Sequence, residues 1–405
     1  MRLPVVSLEK MMYNKMSNTR YIFGRRDKGL EQAYLDNSAT TPVCPQAVEA
    51  AVRMMTACFG NPSSLHTLGI QAEKELSAAR ESVARLIGAP AGRLVYTSGG
   101  TEANNLAVLG GGAARARQGR HAVTSAVEPA SVAAAFDQLE REGWTVERVR
   151  PERDGTLTAE RIAAACREDT ALVSVMLVNN ETGARHPLET LVPEIRRISP
   201  RALVHTDAVQ AAGRIPLSAE RMGVDLLTVS GHKLHAPKGV GALYVRKGVR
   251  LLPRQIGGGQ EDGLRSGTEA APAIAAFGAA AAAVPPFREQ EALYRRLRDR
   301  LLERLSPLGV FHLPPEGVPY IVSLSLPGLR SETLLHFLAE RGIYVSGGSA
   351  CSKGKSSPVL TAMGLPAGEI DSALRVSFSW DNTLEEVDRL AEALRLADHA
   401  LVRRP

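Results

Sequence analysis

Ala202-Leu203-Val204-His205-Thr206-Asp207-Ala208-Val209-Gln210 and, soon after it, Leu226-Leu227-Thr228-Val229-Ser230-Gly231-His232-Lys233 decide how this chain is read. Each is a short apolar and β-branched run that breaks off into polar side chains. Runs without polar/apolar alternation belong to strands buried on both faces, the habit of parallel sheets. Similar runs stand at residues 93–97, 122–125 and 172–178, with helical stretches at 68–87, 131–142 and 188–197 between them. Strands alternating with amphipathic helices predict an α/β fold, a mostly parallel sheet covered on both faces. Ligands of such sheets bind at the carboxyl ends of the strands, so polar residues directly after a strand carry the functional information.

Downstream the pattern changes. Residues 271–286 are rich in alanine and interrupted by Pro272, Pro285 and Pro286; they read as a buried connecting helix, too short to span a bilayer. A charged helix at Phe287–Leu305 follows, then strand-like pieces at 320–325, 344–346 and 374–379. Thr383 and Glu386 have capping-box spacing and open a last helix. The domain division expected from this is an N-terminal extension at 1–33, a large domain at 47–284, and a smaller α+β domain made of 34–46 and 285–405.

Bulk composition narrows the function classes. The chain has 405 residues, 44% hydrophobic and 23% charged, with a formal charge of +6. That apolar content excludes a wholly disordered chain. Lys and Arg are scattered and aromatics make up only 4%, so direct nucleic-acid binding is not expected. Cys44, Cys58, Cys166 and Cys351 form no CxxC or Cys/His cluster, so no metal site is expected. Widely spaced thiols and the absence of a continuous apolar leader point to a reducing, cytoplasmic setting with no membrane attachment.

Four polar motifs follow strands or Gly turns. Lys233, in Ser230-Gly231-His232-Lys233, fits a Schiff-base nucleophile or an ordinary surface lysine. Asp207 fits a partner for a protonated pyridine nitrogen or a helix N-cap. Tyr96-Thr97-Ser98-Gly99-Gly100-Thr101-Glu102 fits an anion cradle at a helix start or a simple capping turn. In Gly347-Gly348-Ser349-Ala350-Cys351-Ser352-Lys353-Gly354-Lys355 a thiol stands among glycines and lysines, which favours the thiolate. Arg375 suits a substrate carboxylate or a structural ion pair.

In their order these motifs resemble the cysteine desulfurases of the NifS/IscS type, within the aspartate-aminotransferase-like, fold type I pyridoxal-phosphate enzymes. The resemblance runs from Tyr34 to about Ala400. It rests on Tyr34-Leu35-Asp36-Asn37-Ser38-Ala39-Thr40-Thr41-Pro42, Gly60-Asn61-Pro62-Ser63-Ser64-Leu65-His66, the Thr97–Glu102 turn, Val178-Asn179-Asn180-Glu181-Thr182-Gly183, Asp207 with Gln210, Ser230 to Lys233, Arg265-Ser266-Gly267-Thr268 and Ser349-Ala350-Cys351.

The resemblance implies a fold type I transferase with a seven-stranded sheet and pyridoxal 5'-phosphate as cofactor. Lys233 would carry the cofactor and abstract the substrate's Cα proton, and Asp207 would pair with the pyridine nitrogen. Gln210 and Asn180 would lie near the phenolic oxygen. Gly100, Thr101, Ser230 and His232 would hold the phosphate, joined by Thr268 from a second subunit, which implies a homodimer. Asn37, Asn180 and Arg375 would bind L-cysteine, with Arg375 on its carboxylate. Cys351 would take the sulfur as a persulfide, release alanine and pass the sulfur to an acceptor protein of iron–sulfur assembly or tRNA thiolation.

Two positions depart from the family. Pro129 follows Ser125-Ala126-Val127-Glu128 where a ring-stacking, acid–base histidine is usual. Asp262 stands where a basic residue is more common, and the Cys351 loop is a few residues shorter than in the best-known housekeeping members. Pro129 keeps open a catalytically weakened paralogue that relays sulfur or regulates a partner, and a lyase acting on selenocysteine is the other alternative.

Overall fold

The computed structural model describes residues 32–90, 93–347 and 356–403. The expected extension thus lies almost wholly outside the described residues, as does Cys351. Strand β1 (Ala33–Tyr34) opens the described chain. Then come β2 (Leu94–Thr97), β3 (His121–Ser125), β4 (Thr145–Val149), β5 (Thr170–Ser174), β6 (Leu203–Asp207), β7 (Leu226–Ser230) and β8 (Gly241–Val245). These seven form one sheet in the order β2-β8-β7-β6-β5-β3-β4, all parallel except β8, which runs antiparallel to both its neighbours.

The all-apolar reading explains the centre of this sheet. Every residue of β2, β3 and β5 to β8 is buried, because helices cover both faces. β4 is the edge strand and keeps only alternating, partial cover, with Glu147 and Arg148 among its residues. The expected run at 172–178 is regular strand only to Ser174; Val175 to Val178 stay buried, with Val175 and Leu177 still donating to carbonyls of β6, and lead into the Asn179–Asn180 turn.

The expected connecting helix is Ala271–Ala282, and it packs on helices Pro45–Thr56 and Thr67–Leu86. Gly278 sets the closeness of that contact: a Cβ there would lie 2.4 Å from the Ala79 Cα. Gly278→Val is therefore expected to destabilise the protein by about 3 kcal/mol, the upper part of the range for overpacking, read as a lower denaturant midpoint at unchanged slope. Among the described residues no helix is long and apolar enough to cross a membrane.

The later strands are β9 (Val310–His312), β10 (Ile321–Ser325), β11 (Ile343–Tyr344), β12 (Ser346–Gly347) and β13 (Ala373–Ser377). An antiparallel sheet runs β12-β13-β10-β9, and β1 pairs in parallel with β11. The helix Phe287–Leu305 has the predicted bounds, and the Thr383/Glu386 capping box opens helix Leu384–Ala400. The beginning of the described chain is thereby stitched to its later part, and a bridge from Asp36 to Ser377 joins it to β13 of the antiparallel sheet.

Candidate active site

β6 and β7 end side by side, and the helix beginning at Gly100 lies against them. A Cβ on Gly100 would sit 3.1 Å from Val209 Cγ2 and 3.5 Å from Ser230 Cβ, so the backbone approaches the strand ends as closely as glycine allows. The Ser230 hydroxyl beside it is buried and makes no hydrogen bond among the described residues. A buried polar atom of this kind is destabilising unless something meets it. Thr101 is exposed at the same helix start, and half-buried His232 follows in the turn Gly231–Lys233. Burial, with Lys233 and Lys238 nearby, pushes the His232 pKa down to about 4, so the ring is neutral near pH 7.

Asp207, the last residue of β6, is buried and held at both oxygens. Val209 N–H donates to Oδ1 at 2.9 Å and the Asn104 amide to Oδ2 at 2.7 Å. Asn104 also donates to Ser131 Oγ at 2.9 Å, which fixes the carboxylate between two helix starts. Burial raises the Asp207 pKa above its ordinary value, against the pull of these hydrogen bonds and of the Lys233 charge. A cation placed against it would be strongly favoured.

Lys233 points back at the loop 36–41. Its Nζ donates to the Ser38 carbonyl and, at 2.7 Å, to that of Ala39. The same loop takes the Gln210 amide on Ser38 O at 3.0 Å and the Arg214 guanidinium on Asn37 O at 2.7 Å. Gln210 Oε1 is buried without a partner among the described residues. Thr41 closes the loop on His232 O through its N–H at 2.9 Å and its hydroxyl at 3.0 Å. The Asn37 amide nitrogen is spent on Ser377 O at 3.0 Å and Asn382 Oδ1 at 3.1 Å, so its visible work is bracing this loop.

Arg375, on β13, is only 2% exposed, and its side chain reaches Asp36 Oδ1 at 2.8 Å and Asn180 O at 3.0 Å. Its Nε is buried and has no hydrogen-bond partner among the described residues. The half-buried Asn180 follows Asn179, whose side chain caps the turn by accepting from Glu181 N–H at 2.9 Å and Thr182 N–H at 3.0 Å. Asp207, Lys233, Gly100, Ser230, His232 and Gln210 thus share one strand-end crevice, with Asn180 and Arg375 linked by a direct bond. Thr268 is exposed on a separate loop, and Cys351 lies outside the described residues.

Pro129 is extended (φ −63°, ψ 152°) and its carbonyl starts helix Ala130–Arg141 by accepting from Val132 N–H at 2.9 Å. Beside it Glu128 is buried, with Oε1 taking the Ser125 hydroxyl at 2.6 Å and Met176 N–H at 2.9 Å while Oε2 has no partner among the described residues. Burial, together with the Asp207 charge, pushes its pKa up to about 8. A carboxyl whose folded pKa is raised binds its proton more tightly than in the unfolded chain, so stability falls as pH rises from the ordinary carboxyl range through about 8. Glu128→Gln is expected to melt above the wild type at about pH 9 and close to it at about pH 5, because glutamine has no charge to desolvate. An equal gap at both pH values would refute this.

Asp262 has φ 56° and ψ 30°, and Glu261 before it φ 50°. Left-handed backbone is tolerated better by Asp than by most side chains, which gives this departure a local reason. Glu261 holds the loop down, taking Arg80 at 3.1 Å and Tyr96 N–H at 3.0 Å. Sequence reading gave no role to Asn104, Ser131, Asp36 or Glu128. Only Asp36 and Glu128 stood in quoted motifs, and nothing local marks the others.

The aminotransferase class-V family model matches residues 33–390. The chain therefore belongs to the class-V aminotransferases, and within them to the cysteine desulfurases. It is 41% identical over 367 residues to cysteine desulfurase IscS 1 of Archaeoglobus fulgidus, covering 89% of this chain and 95% of the relative. It is 43% identical over 367 residues to cysteine desulfurase IscS of Anaeromyxobacter dehalogenans, covering 88% and 89%. A solved NifS-like protein superposes with a TM-score of 0.87 at 35% identity over 92% of this chain and all of that one. SspA in complex with cysteine superposes at 0.77 with 31% identity, over 85% of this chain and 98% of that one.

Proposed function

We propose that this chain removes the sulfur of L-cysteine, releasing L-alanine and leaving a persulfide on Cys351. The observation that carries the reading is the strand-end crevice itself: Lys233 and Asp207 on adjoining strand ends, beside a glycine-lined helix start with an unspent Ser230 hydroxyl. These residues fit pyridoxal 5'-phosphate. Gly100, Thr101, Ser230 and neutral His232 would hold the phosphate, Asp207 the ring nitrogen, Gln210 and Asn180 the phenolic side, and Lys233 would attach covalently. When bound, the cofactor supplies a sink for the negative charge left by loss of the Cα proton.

The chain's own groups do the rest. Arg375 orients the substrate carboxylate, with Asn37 and Asn180 beside it, and Lys233 takes the Cα proton. Cys351 Sγ, as thiolate, then bonds to the substrate sulfur while the Cβ–S bond breaks. That electron pair remains with the carbon skeleton, which gains a proton at Cβ, regains one at Cα from Lys233, and leaves as alanine. Pro129 can move no proton, so Lys233 has to serve more of the proton transfers than in relatives with a histidine there.

The same reading makes the protein a homodimer in which Thr268 completes the partner's phosphate site. Val48, Val52 and Met55 are exposed at i, i+4 and i+7 of helix Pro45–Thr56, and Leu65 is 95% exposed close by in sequence, apolar surface of the kind an interface covers. It places 34–46 with 285–405 in the small domain and 47–284 in the large one, with a cytoplasmic site of action; the described thiols Cys44, Cys58 and Cys166 are free, as a reducing compartment requires. The acceptor would be a protein of iron–sulfur assembly or tRNA thiolation.

The test is the near-visible spectrum of the purified protein, followed by alanine assay after L-cysteine is added. Expected are a bound-cofactor band that shifts with cysteine, alanine release, and loss of persulfide formation in Cys351→Ala. A cofactor band with no alanine would favour the weakened paralogue. Sulfide release undiminished in Cys351→Ala would sink the role of that thiol.

A further inference from the structure

Glu181 has no part in the chemistry above, yet it is buried in the turn that presents Asn180. Its Oε2 accepts the hydroxyl of Ser357, 176 residues away in sequence. Ser357 is also buried and caps helix Pro358–Ala362 by accepting from Leu360 N–H at 3.0 Å. It is the second described residue after Cys351. The last described residues before Cys351, Ser346 and Gly347, pair on β13 with Arg375 and Leu374. Arg375 in turn donates to Asn180 O at 3.0 Å, the residue next to Glu181. Both described ends of the cysteine-bearing segment are therefore tied to the Asn180–Arg375 contact, one by strand pairing and the other through Glu181.

We infer that Glu181 is a positioning residue for sulfur transfer: its carboxyl holds Ser357, and so the downstream end of the Cys351 segment, in register with the groups that bind the substrate. The inference rests on the reading of Cys351 as the sulfur-accepting thiol. Arg375 is the charged neighbour of Glu181, and the ion pair with Asp36 fixes that guanidinium, so the Ser357 bond is the contact by which Glu181 reaches the segment. A misplaced nucleophile loses rate without losing substrate affinity, because the binding groups are untouched.

The experiment mixes the loaded enzyme rapidly with L-cysteine and reads two signals: the spectral change on substrate binding, and the persulfide on Cys351 by alkylation and mass spectrometry. Glu181→Ala is expected to slow persulfide formation by about tenfold or more while the spectral Kd moves by less than about threefold. Glu181→Gln keeps an oxygen for Ser357 and should stay within about threefold of the wild type in both. Ser357→Ala, which leaves the buried carboxyl in place, should follow Glu181→Ala. Equal losses of binding and persulfide in Glu181→Ala, or a Ser357→Ala enzyme with undiminished persulfide formation, would overturn the inference. A wild type that carries no persulfide on Cys351 would instead remove the reading beneath it, and is recognised in the control alone.

Discussion

Lys233→Ala is expected to lower alanine release from L-cysteine by about ten-thousand-fold or more, the upper end of what a single acid–base group contributes, because covalent attachment and proton transfer are lost together. Lys233→Arg separates chemistry from architecture. It keeps a cation facing the Ser38 and Ala39 carbonyls, so the loop 36–41 retains its contact, but a guanidinium that stays protonated is neither a nucleophile nor a base near neutrality. Both variants should be equally inactive, with Lys233→Arg melting closer to the wild type. Neither should show the cofactor band characteristic of a lysine linkage, although the phosphate contacts proposed at Gly100 and Ser230 would still retain the free cofactor. Turnover by Lys233→Ala above about one percent of wild type would mean that another group carries the proton.

Much of this arrangement is legible in the chain because the strands that bear it are buried on both sides. Leu226–Ser230 is strand at the expected bounds, and its polar sequel Gly231–Lys233 turns into the crevice as the strand-end rule requires. The run at 172–178 overshot for a physical reason. Val175 to Val178 are as buried as the strand before them, and Val175 N–H and Leu177 N–H still bond to His205 O and Asp207 O, so hydrophobicity alone cannot mark where regular pairing stops. β4 escaped reading because an edge strand carries Glu147 and Arg148 among its residues, and β8 because it is led by glycine after the turn at Pro237-Lys238-Gly239.

The supports of the site were illegible for a different reason. Asn104 steadies Asp207 across 103 residues, Ser357 meets Glu181 across 176, and Asp36 meets Arg375 across 339. No local pattern announces a partner that distant. A motif supplies the residue types at a strand end, but the choice between an N-cap and a ligand for a cation is made by what packs against it. At Asp207 no helix follows: the chain turns at 209–214, Val209 N–H donates to one oxygen within that turn, and Asn104 orients the other.

Arg375→Lys is expected to reduce kcat/KM for L-cysteine by about a hundredfold to a thousandfold, the loss of two charge-assisted hydrogen bonds at roughly 1.5–2 kcal/mol each. The guanidinium is buried, fixed by Asp36 on one nitrogen and by Asn180 O on another, with Nε unspent. A lysine would keep the charge but, as a single point, could not hold Asp36, the Asn180 carbonyl and a substrate carboxylate in one plane. Asp36 is itself mostly buried, so Arg375→Ala, which strands it, should also lose stability, whereas Arg375→Lys should lose mainly activity. Cysteamine, which is cysteine without the carboxylate, isolates the interaction. Wild type and Arg375→Lys should convert it at similar low rates, because the group that Arg375 is proposed to recognise is missing from the substrate. If Arg375→Lys loses as much on cysteamine as on L-cysteine, the arginine acts through the folding of its neighbourhood and some other group reads the carboxylate.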